Sequence, residues 1–520
     1  MVDGRHIQYD KTIIMKNVTN VVIIVFVLFS IFCEKNQQIE RTGERQPSAA
    51  MVPVPNIDWF ISNLDADTFK ISTADELAGL ANIVNNMAEI GQSFNFNDRT
   101  IVLVENIDLS DYGKNYRRII NTGKSTKEIN GWISIGAGLL QDAFSGTFDG
   151  NGKTVRGLFI EGTASKNGLF GWVANGGIVK NLTMENININ AANNVGAVAG
   201  IVYGDGSKVI NCSASGTIRG KIIVGGVVGA AEIGAIISNC YFMGTVRGEN
   251  AVGGVVGTVG SNSRVIDSYS LGKVNGKEVV GGVVGNIESN SSVKNSYSVS
   301  VVYGESSVGG VIGRVFDTST VSNCYSMGTV SGGNAIGGVA GAVMTGSELS
   351  NSYATGEVTG NVSIGGVVGG ISTGGSVSNS YSIGKIRGKG SVGGLVGHID
   401  HGSVISCAAL NSSVKSTGLS FGRVVGNIVG DLESSKLSNN IAFNNMVNIS
   451  DSTLWLNKSI NKQNGADINA TEIKSDPTLG GRFISENGWM IQNNYLPGFG
   501  KPVIMPPHLC VGGFGLYPKI

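Results

Sequence analysis

Apolar residues in the middle of the chain recur at one fixed interval, which is clearest in a short glycine-containing run. Seven runs of the form VGGVVG begin 28 residues apart without a break, at Val224, Val252, Val280, Val308, Ile336, Ile364 and Val392. The related runs GLFG (168–171), VGAVAG (195–200) and FGRVVG (421–426) extend the series at intervals of 29 residues. About ten units therefore run from residue 168 to residue 426.

Two apolar columns keep the same phase in every unit. The first consists of Val209, Ile237, Val265, Val293, Val321, Leu349, Val377 and Val404. The second consists of Ile218, Val246, Val274, Val302, Val330, Val358 and Ile386. Glycines at constant phase bracket the second column, which indicates a positive φ or a close approach between neighbouring units. We expect both columns to face one core that all units share.

Each unit offers three short β-type runs separated by turns, such as SVGGLVG, SVSNSYSIG and KIRG, and none has the period of a helix. Three strands in 28 residues suit one coil of a parallel β-solenoid, in which coils stack about 4.8 Å apart. A propeller blade usually takes about 40 residues or more, which disfavours that architecture. The pattern predicts a mainly β chain with a solenoid of about ten coils over 144–430.

The repeated run resembles the GLUG repeat, which occurs in tandem on bacterial cell-surface and secreted proteins. The resemblance covers residues 168–426, and FSGTFDGNGKTVRGL (144–158) is similar to the segment that leads into such arrays. The resemblance implies an exported, surface-displayed or adhesin-like protein. It supplies no catalytic residue.

The flanking segments are predicted to cap the solenoid, whose edge strands need protection. Residues 56–143 form a small N-terminal α/β cap, in which Thr73 and Glu76 make a capping box for a helix that ends near Asn86. A strand follows at 100–109, and DGNG (149–152) makes a tight turn. The period dissolves beyond residue 430, which predicts an irregular C-terminal cap over 431–500 and a tail over 501–520.

The N-terminus carries an apolar run from Val21 to Cys33, preceded by Met15 and Lys16. Its length of about 13 residues suits an export signal and falls short of the roughly 20 residues that cross a bilayer. We assign residues 1–33 to this signal, with Met1 or Met15 as the start, and 34–55 to a linker. Cys33 resembles the acceptor of a bacterial lipoprotein, although Phe32 stands where a small residue is usual. Outer-membrane lipidation and ordinary cleavage with secretion both stay open.

Charge and cysteine usage exclude several classes of function. The formal net charge is zero and like charges do not cluster, so a nucleic-acid partner is not expected. Six cysteines, at 33, 212, 240, 324, 407 and 510, follow no zinc-ligand spacing. Cys212 and Cys240 occupy equivalent positions in neighbouring units, but Cys324 lies between Ser296 and Ser352. We expect buried thiols that replace serine rather than disulfides.

A tyrosine column is the candidate binding feature. It consists of Tyr241, Tyr269, Tyr297, Tyr325, Tyr353 and Tyr381. Exposed rings would form a face for a glycan or a protein. The alternative is core packing, which the position four residues after the first apolar column favours. Asparagines two residues before most of the tyrosines should hydrogen-bond along the solenoid axis.

Other candidate chemistry is weak. VGGLVG lacks the GK[ST] of a phosphate-binding loop, so no cofactor is expected. His398 and His401 fall, with Asp400, in a variable segment that reads as a solvated turn, and we predict no metal site there. The four histidines make no HExxH motif. The acids of the repeats show no common phase: Glu249, Asp267, Glu278, Glu288, Glu305, Asp317, Glu348 and Glu357.

These patterns predict a non-catalytic structural or adhesive solenoid that is surface-displayed or secreted and binds an extracellular glycan or protein. The alternative is a carbohydrate-active β-helix enzyme, either a polysaccharide lyase or a hydrolase. The two hypotheses predict different surfaces. A binding module should present a continuous exposed stripe, whereas an enzyme should present a groove with clustered carboxylates.

Overall fold

The computed structural model describes residues 52–88, 93–121, 126–429 and 435–510. The proposed export signal, including Cys33, lies outside the described residues. Within the described ranges no helix is both long and apolar enough to cross a membrane.

The described chain winds into a parallel β-solenoid of about 14 turns, which confirms the predicted fold class. Strands pair with strands 28 residues further on, as Val265 does with Val293. The solenoid has more turns than the ten expected, because Thr68–Ile71 pairs in parallel with Thr100–Leu103, which pairs with Thr147–Asp149. These early coils differ in length, so they show no constant period in the sequence, although their strands stack in the same way.

Four ladders of short strands run along the axis, rather than the three runs per unit that the sequence predicts. The first ladder comprises Thr68–Ile71, Thr100–Leu103, Thr147–Asp149, the starts of Ile178–Asn190 and Lys208–Arg219, Ile236–Ser238, Arg264–Ile266, Ser292–Lys294, Thr320–Ser322, Glu348–Ser350, the ends of Val368–Ser378 and Val396–Ile405, and Lys436–Ser438. The second comprises Ile107–Asp108, Thr154–Arg156, Phe159–Glu161, the ends of Ile178–Asn190 and Lys208–Arg219, Tyr241–Arg247, Tyr269–Asn275, Tyr297–Ser298, the start of Val301–Gly309, Tyr325–Ser326, the start of Val330–Gly337, Tyr353–Ala354, Val358–Thr359, Tyr381–Ser382, Ile386–Gly388, Ala408–Ala409, Val414–Ser416, Ile441–Phe443 and Ala466–Ile468.

The third and fourth ladders arise because a glycine pair bends the first predicted run. The third comprises Ser165–Asn167, Asn193–Val195, Ile222–Gly225, Asn250–Gly253, Glu278–Gly281, the ends of Val301–Gly309 and Val330–Gly337, Val362–Gly365, Gly390–Gly393 and Phe421–Gly422. The fourth comprises Phe170–Ala174, Ala199–Tyr203, Val228–Glu232, Val256–Val259, Val284–Ile287, Ile312–Val315, Ala340–Met344, the starts of Val368–Ser378 and Val396–Ile405, and Val425–Val429.

The helices and antiparallel pairings of the described chain lie towards its two ends, and one of these pairings joins Thr126–Gly131 to Phe159–Glu161 of the second ladder. Arg117–Asn121 pairs with Thr126–Gly131, and Tyr495–Leu496 pairs with Val503–Ile504. The α-helices are Asp58–Ile61, Ala74–Val84 and Ala470–Ser475, and the 3₁₀ turns are Ser110–Tyr112, Leu140–Asp142, Ser485–Asn487 and Pro507–Leu509. Helix Ala74–Val84 has the predicted capping box of Thr73 and Glu76.

The core follows the two predicted apolar columns, whose members are at most 1% exposed. Residues of one column stack directly on their equivalents in the next coil, so valine and isoleucine fill the interior with little variation in volume. The glycine columns permit close approach between coils. At Gly244, where φ is +150°, a Cβ would lie 2.1 Å from the Gly216 carbonyl oxygen.

The glycine pair that bends each coil provides a test of this packing. A Cβ at Gly281 would lie 1.9 Å from the Val284 carbonyl oxygen, so Gly281→Ala should lower the free energy of unfolding by about 1–3 kcal/mol. Urea unfolding measures the change. Gly370→Ala is the matched control, because no atom lies within 4 Å of its Cβ position and its register partner is Ala342. Equal destabilisation by both variants would contradict the packing described above.

Candidate functional site

The six tyrosines of the predicted column form one continuous stack, here called the tyrosine stack. Successive ring centroids lie 4.8 to 5.1 Å apart, and the ring planes deviate by only 2° to 7°. This spacing is the distance between parallel strands, so the backbone places each ring directly over the next. Most ring faces are therefore covered by neighbouring rings, and the stack turns ring edges and hydroxyls outward.

The first four tyrosines are half-buried, whereas Tyr353 and Tyr381 are 3% and 0% exposed. The core-packing interpretation is therefore wrong for Tyr241, Tyr269 and Tyr297, whereas Tyr325 is partly buried against the core. An asparagine or aspartate with φ of 45° to 55° precedes each of the stacked rings by two residues. Side chains of a regular strand alternate between the core and the solvent. The residue with left-handed φ adds one extra outward-facing position to this alternation, so the tyrosine two residues later points away from the core.

A C-terminal segment, residues 483–499, causes the burial of the last two rings and is here called the C-terminal strap. Trp489 lies 6.0 Å from Tyr353 and 5.9 Å from Tyr381, and Phe499 packs on Trp489 at 4.3 Å. The Tyr381 hydroxyl donates to the Pro497 carbonyl oxygen at 2.5 Å. The strap therefore lies along the side of the solenoid, over the C-terminal part of the stack.

An aliphatic column lies beside the first four rings of the stack, two residues further along the chain. The fourth ring, Tyr325, is also contacted by Phe499 of the strap at 6.5 Å. It consists of Met243, Leu271, Val299 and Met327. Met243 and Met327 are each 43% exposed and Val299 is 39% exposed. Together with Tyr241, Tyr269, Tyr297 and Tyr325, this column forms a continuous surface four coils long, here called the aromatic–aliphatic stripe.

The asparagine column forms the predicted axial hydrogen bonds in two segments, and at its C-terminal end Asn351 and Asn379 instead contact Trp489 and Arg482. Asn211 Nδ2 donates to Asn181 Oδ1 at 2.9 Å, and Asn295 Nδ2 donates to Asp267 Oδ1 at 3.0 Å. Asn323 continues the row by donating to Asn295 at 3.2 Å. Between these segments, the Asn239 side chain makes no hydrogen bond to another described residue. The amide row is therefore broken at the coil of Tyr241.

Pockets lie at both ends of the stripe. A recess of about 190 Å³ at the N-terminal end is lined by Asn181, Thr183, Asn211, Ser213, Asn239 and Tyr241, among others. A larger pocket of about 490 Å³ lies where the strap meets the stack, lined in part by Tyr297, Tyr325 and Phe499. The open surface of the stack thus ends in a concave site on each side.

The buried cysteines occupy serine positions, as expected. Cys212, Cys240, Cys324 and Cys407 are free and buried. The Cys324 thiol donates to the Ser322 carbonyl oxygen at 3.2 Å, just as the Ser352 hydroxyl donates to that of Ser350 at 2.8 Å. Burial raises the pKa of Cys324 to about 12, which suits an inert structural thiol.

The acids are not all out of phase, which corrects the expectation from the sequence. Glu249 and Glu305 share a phase two coils apart, and Lys277 between them lies 3.5 Å from Glu249. Glu232, which the sequence reading missed, shares a phase with Glu288 because 56 residues is twice the period. Burial and the nearby charge of Glu288 raise the pKa of Glu232 to about 7.

These acids do not converge in one groove. Glu232 and Glu288 lie at or beside the fourth ladder, whereas Glu249 and Glu305 lie on the other side of the third ladder. A separate pocket contains Asp108, Glu185 and Arg156, but hydrogen bonding by Ser110, together with Arg156, lowers the pKa of Asp108. Among the described residues, no three His, Cys, Asp or Glu side chains lie together as a potential metal site.

The histidine segment is strand rather than turn. His398 and Asp400 lie within Val396–Ile405 and pair in register with Gly370 and Ser372, with Ile399 fully buried between them. The turn interpretation is wrong because the side chains alternate between solvent and core on either side of the buried Ile399. The segment therefore continues the fourth ladder as a strand. His401 Nδ1 lies 2.6 Å from Asp400 Oδ1, and His398 contacts Asn427.

Titration of the stack gives a test of its burial. Desolvation and the neighbouring phenol raise the pKa of Tyr325 to about 12, and those of Tyr353 and Tyr381 rise in the same direction. The unfolded chain loses its phenol protons near pH 10. Above that pH the folded chain therefore holds more phenol protons than the unfolded chain. The free energy of unfolding should therefore fall from about pH 10 to about pH 12.

Urea unfolding at stepped pH measures this fall. Tyr325→Phe keeps the ring but removes one ionisable group, so its stability should fall less steeply than that of the parent chain over the same range. A parent and variant with identical pH dependence would contradict the assigned burial of Tyr325.

Comparison with known proteins agrees with the repeat structure. The model of the GLUG motif matches residues 191–219, 304–331 and 332–359. Halomucin from Haloquadratum walsbyi is 32% identical over 160 residues, which is 31% of this chain and 2% of halomucin. This chain therefore corresponds to a small fraction of that relative's length.

A crystal structure of a proposed immunoglobulin A1 protease from Bacteroides ovatus covers 84% of this chain and 93% of its own chain, with 15% identity and a TM-score of 0.29. That score is too low to carry an argument about fold or activity. The two sequence matches indicate a surface protein, and hence an extracellular or cell-surface location. The solenoid of this chain carries GLUG repeats.

Proposed function

We propose that this protein is a non-catalytic, surface-displayed or secreted solenoid that binds an extracellular glycan or protein through the aromatic–aliphatic stripe. The observation that carries the proposal is the continuity of the stripe over four coils, with Met243, Val299 and Met327 each about two-fifths exposed. Contiguous exposed apolar surface of this kind is typical of interaction sites. The tyrosine hydroxyls along its edge add hydrogen-bonding capacity for a polar partner.

The rigidity of the stack supports an adhesive role. Neighbouring rings hold each other at 4.8 to 4.9 Å from Tyr241 to Tyr353, so little side-chain entropy is lost when a partner binds. The strap supplies an internal precedent, because Trp489 and Phe499 pack on the same stack. The open part of the stack offers a similar surface to an external partner.

Display at the cell surface is the context in which such a stripe would act. We propose export by the signal in residues 1–33, followed either by lipid anchoring at Cys33 to the outer membrane or by secretion. The hydrophilic segment after Cys33 would then separate the solenoid from its anchor.

A carbohydrate-active enzyme is the less favoured alternative. Such an enzyme needs two carboxylates on opposite sides of one bound sugar. Lys277 lies between Glu249 and Glu305, and in the pocket that Asp108 shares with Glu185 hydrogen bonding by Ser110, together with Arg156, lowers the pKa of Asp108, which disfavours it as a general acid. The distribution of acids therefore supports binding rather than cleavage.

Charged substitutions in the stripe test the proposal. The double variant Val299→Glu, Met327→Glu should weaken binding to an array of extracellular glycans and matrix proteins by about tenfold or more, because a bound apolar contact would bury the new charges. The full chain is used, and circular dichroism checks that the variant is folded, because the two new glutamates lie at equivalent positions of adjacent coils and repel each other.

The control is Ile222→Glu, Val362→Glu, which introduces the same two charges at exposed apolar positions of the third ladder, at 47% and 44% exposure. This control should retain full binding. Equal loss in both double variants, or no binding by the parent chain, would argue against the stripe as a ligand site. Turnover of a bound glycan would contradict the non-catalytic assignment.

A further inference from the structure

The N-terminal end of the tyrosine stack differs from every other point along it. Tyr241 stacks on Tyr269 at 4.9 Å with a 7° interplanar angle. On its other side, the register partner of Tyr241 is Ser213, and that of Ser213 is Thr183. The tyrosine column thus changes to small hydroxyl residues at this coil. No aromatic ring covers the face of Tyr241 that is turned toward Ser213, and Tyr241 lines the recess.

The amide row is interrupted at the same coil. Asn181 donates to Asp149 at 3.0 Å, and Asn211 donates to Asn181 at 2.9 Å. No described residue donates to Asn211 Oδ1, and Asn239 makes no side-chain hydrogen bond within the described chain. One amide oxygen and one complete amide group therefore remain available beside the open ring. This observation is independent of the aromatic geometry.

The chemistry of the lining indicates a neutral ligand. Asn181, Thr183, Asn211, Ser213, Asn239 and Tyr241 supply amides, hydroxyls and one aromatic face, but no charged group. A volume of about 190 Å³ is below the roughly 300 Å³ at which pockets begin to hold drug-sized molecules. The recess therefore suits a single ring with one apolar face and several hydroxyl groups.

We propose that the recess binds one neutral sugar ring of an extracellular glycan. The C–H face of a pyranose would pack on the open face of Tyr241, and its hydroxyls would exchange hydrogen bonds with Asn211 and Asn239. Sugar hydroxyls both donate and accept hydrogen bonds, so they can donate to the Asn211 amide oxygen and exchange hydrogen bonds with both groups of the Asn239 amide. The inference rests on the proposed function and narrows its ligand from a glycan or protein to a neutral glycan.

Inside the stack, an equivalent site cannot form. The rings from Tyr269 to Tyr353 have a neighbour on both faces, at 4.8 to 5.1 Å. At the C-terminal end the strap covers the rings. The recess is thus the place where the stack offers an aromatic face together with unpaired amides. A longer glycan held in it would continue across the ring edges of the stripe.

Calorimetric titration of the full chain with glucose, galactose, mannose, N-acetylglucosamine and their disaccharides tests the proposal. We expect saturable binding of at least one of these neutral sugars. Tyr241→Ala should weaken that binding by about tenfold or more, which corresponds to about 1.4 kcal/mol. Ser213→Tyr should abolish it, because the new ring would extend the stack by one position and fill the recess.

Tyr303→Ala is the matched control, because Tyr303 is 51% exposed and lies outside both the stripe and the recess. It should change affinity by less than about twofold. Circular dichroism checks that each variant is folded, and Ser213→Tyr provides a second test if Tyr241→Ala fails to fold. Sugar binding that survives both recess variants, or no binding of any neutral sugar, would overturn the inference.

The outcomes separate this inference from the proposed function. Sugar binding lost in Val299→Glu, Met327→Glu but retained in Tyr241→Ala would overturn the recess and support the stripe. Stripe-dependent binding of a protein, without binding of any sugar, would do the same. Sugar binding that depends on Tyr241 but not on Val299 and Met327 would support the recess and argue against ligand contact with the aliphatic column of the stripe.

Discussion

In-register stacking of equal coils is the constraint on which the rest of the structure depends. Parallel strands lie about 4.8 Å apart. With a constant 28-residue period, the axial neighbour of each side chain is its own equivalent in the next coil, as with Tyr269 and Tyr297 at 4.8 Å. One residue choice is thereby repeated along the whole array. The same rule produces the valine core, the buried row of hydroxyls and thiols, the amide row and the tyrosine stack.

Candidate functional positions lie at the coils where a column of equivalent residues changes from one residue type to another. The tyrosine column begins at Tyr241, after Ser213, and ends at Tyr381, before Ala408. Its interior is chemically uniform and mostly closed to face-on contact, so the ends carry the distinctive geometry. The first end is an open recess with unpaired amides, and the second is covered by aromatic residues of the strap. A tyrosine stack without ends would expose only the edges of its rings, because neighbouring rings would cover every ring face.

The strap also shows how the protein uses its own aromatic surface. Arg482, next to the strap, donates to Asn439 at 2.7 Å and accepts from Asn379 through its carbonyl oxygen at 2.8 Å. These bonds hold the chain against the last coils, and Trp489 then packs on Tyr353 and Tyr381. The strap thus divides the stack into a part that stabilises the fold and a part that stays open. That division sets the length of the stripe.

The sequence by itself determined the solenoid, its period, its apolar columns, the serine-like cysteines and the capped helix, because in-register stacking turns contacts between coils into simple arithmetic on residue numbers. The same arithmetic could have found the pairing of Glu232 with Glu288. Only the tertiary structure decided which way the tyrosines point, since a left-handed residue such as Asp267 (φ +51°) adds an outward position that simple alternation does not count. It also decided the number of coils and the course of the strap. The early coils differ in length, and Trp489 meets Asn351 across 138 residues, a contact that no repeat period encodes.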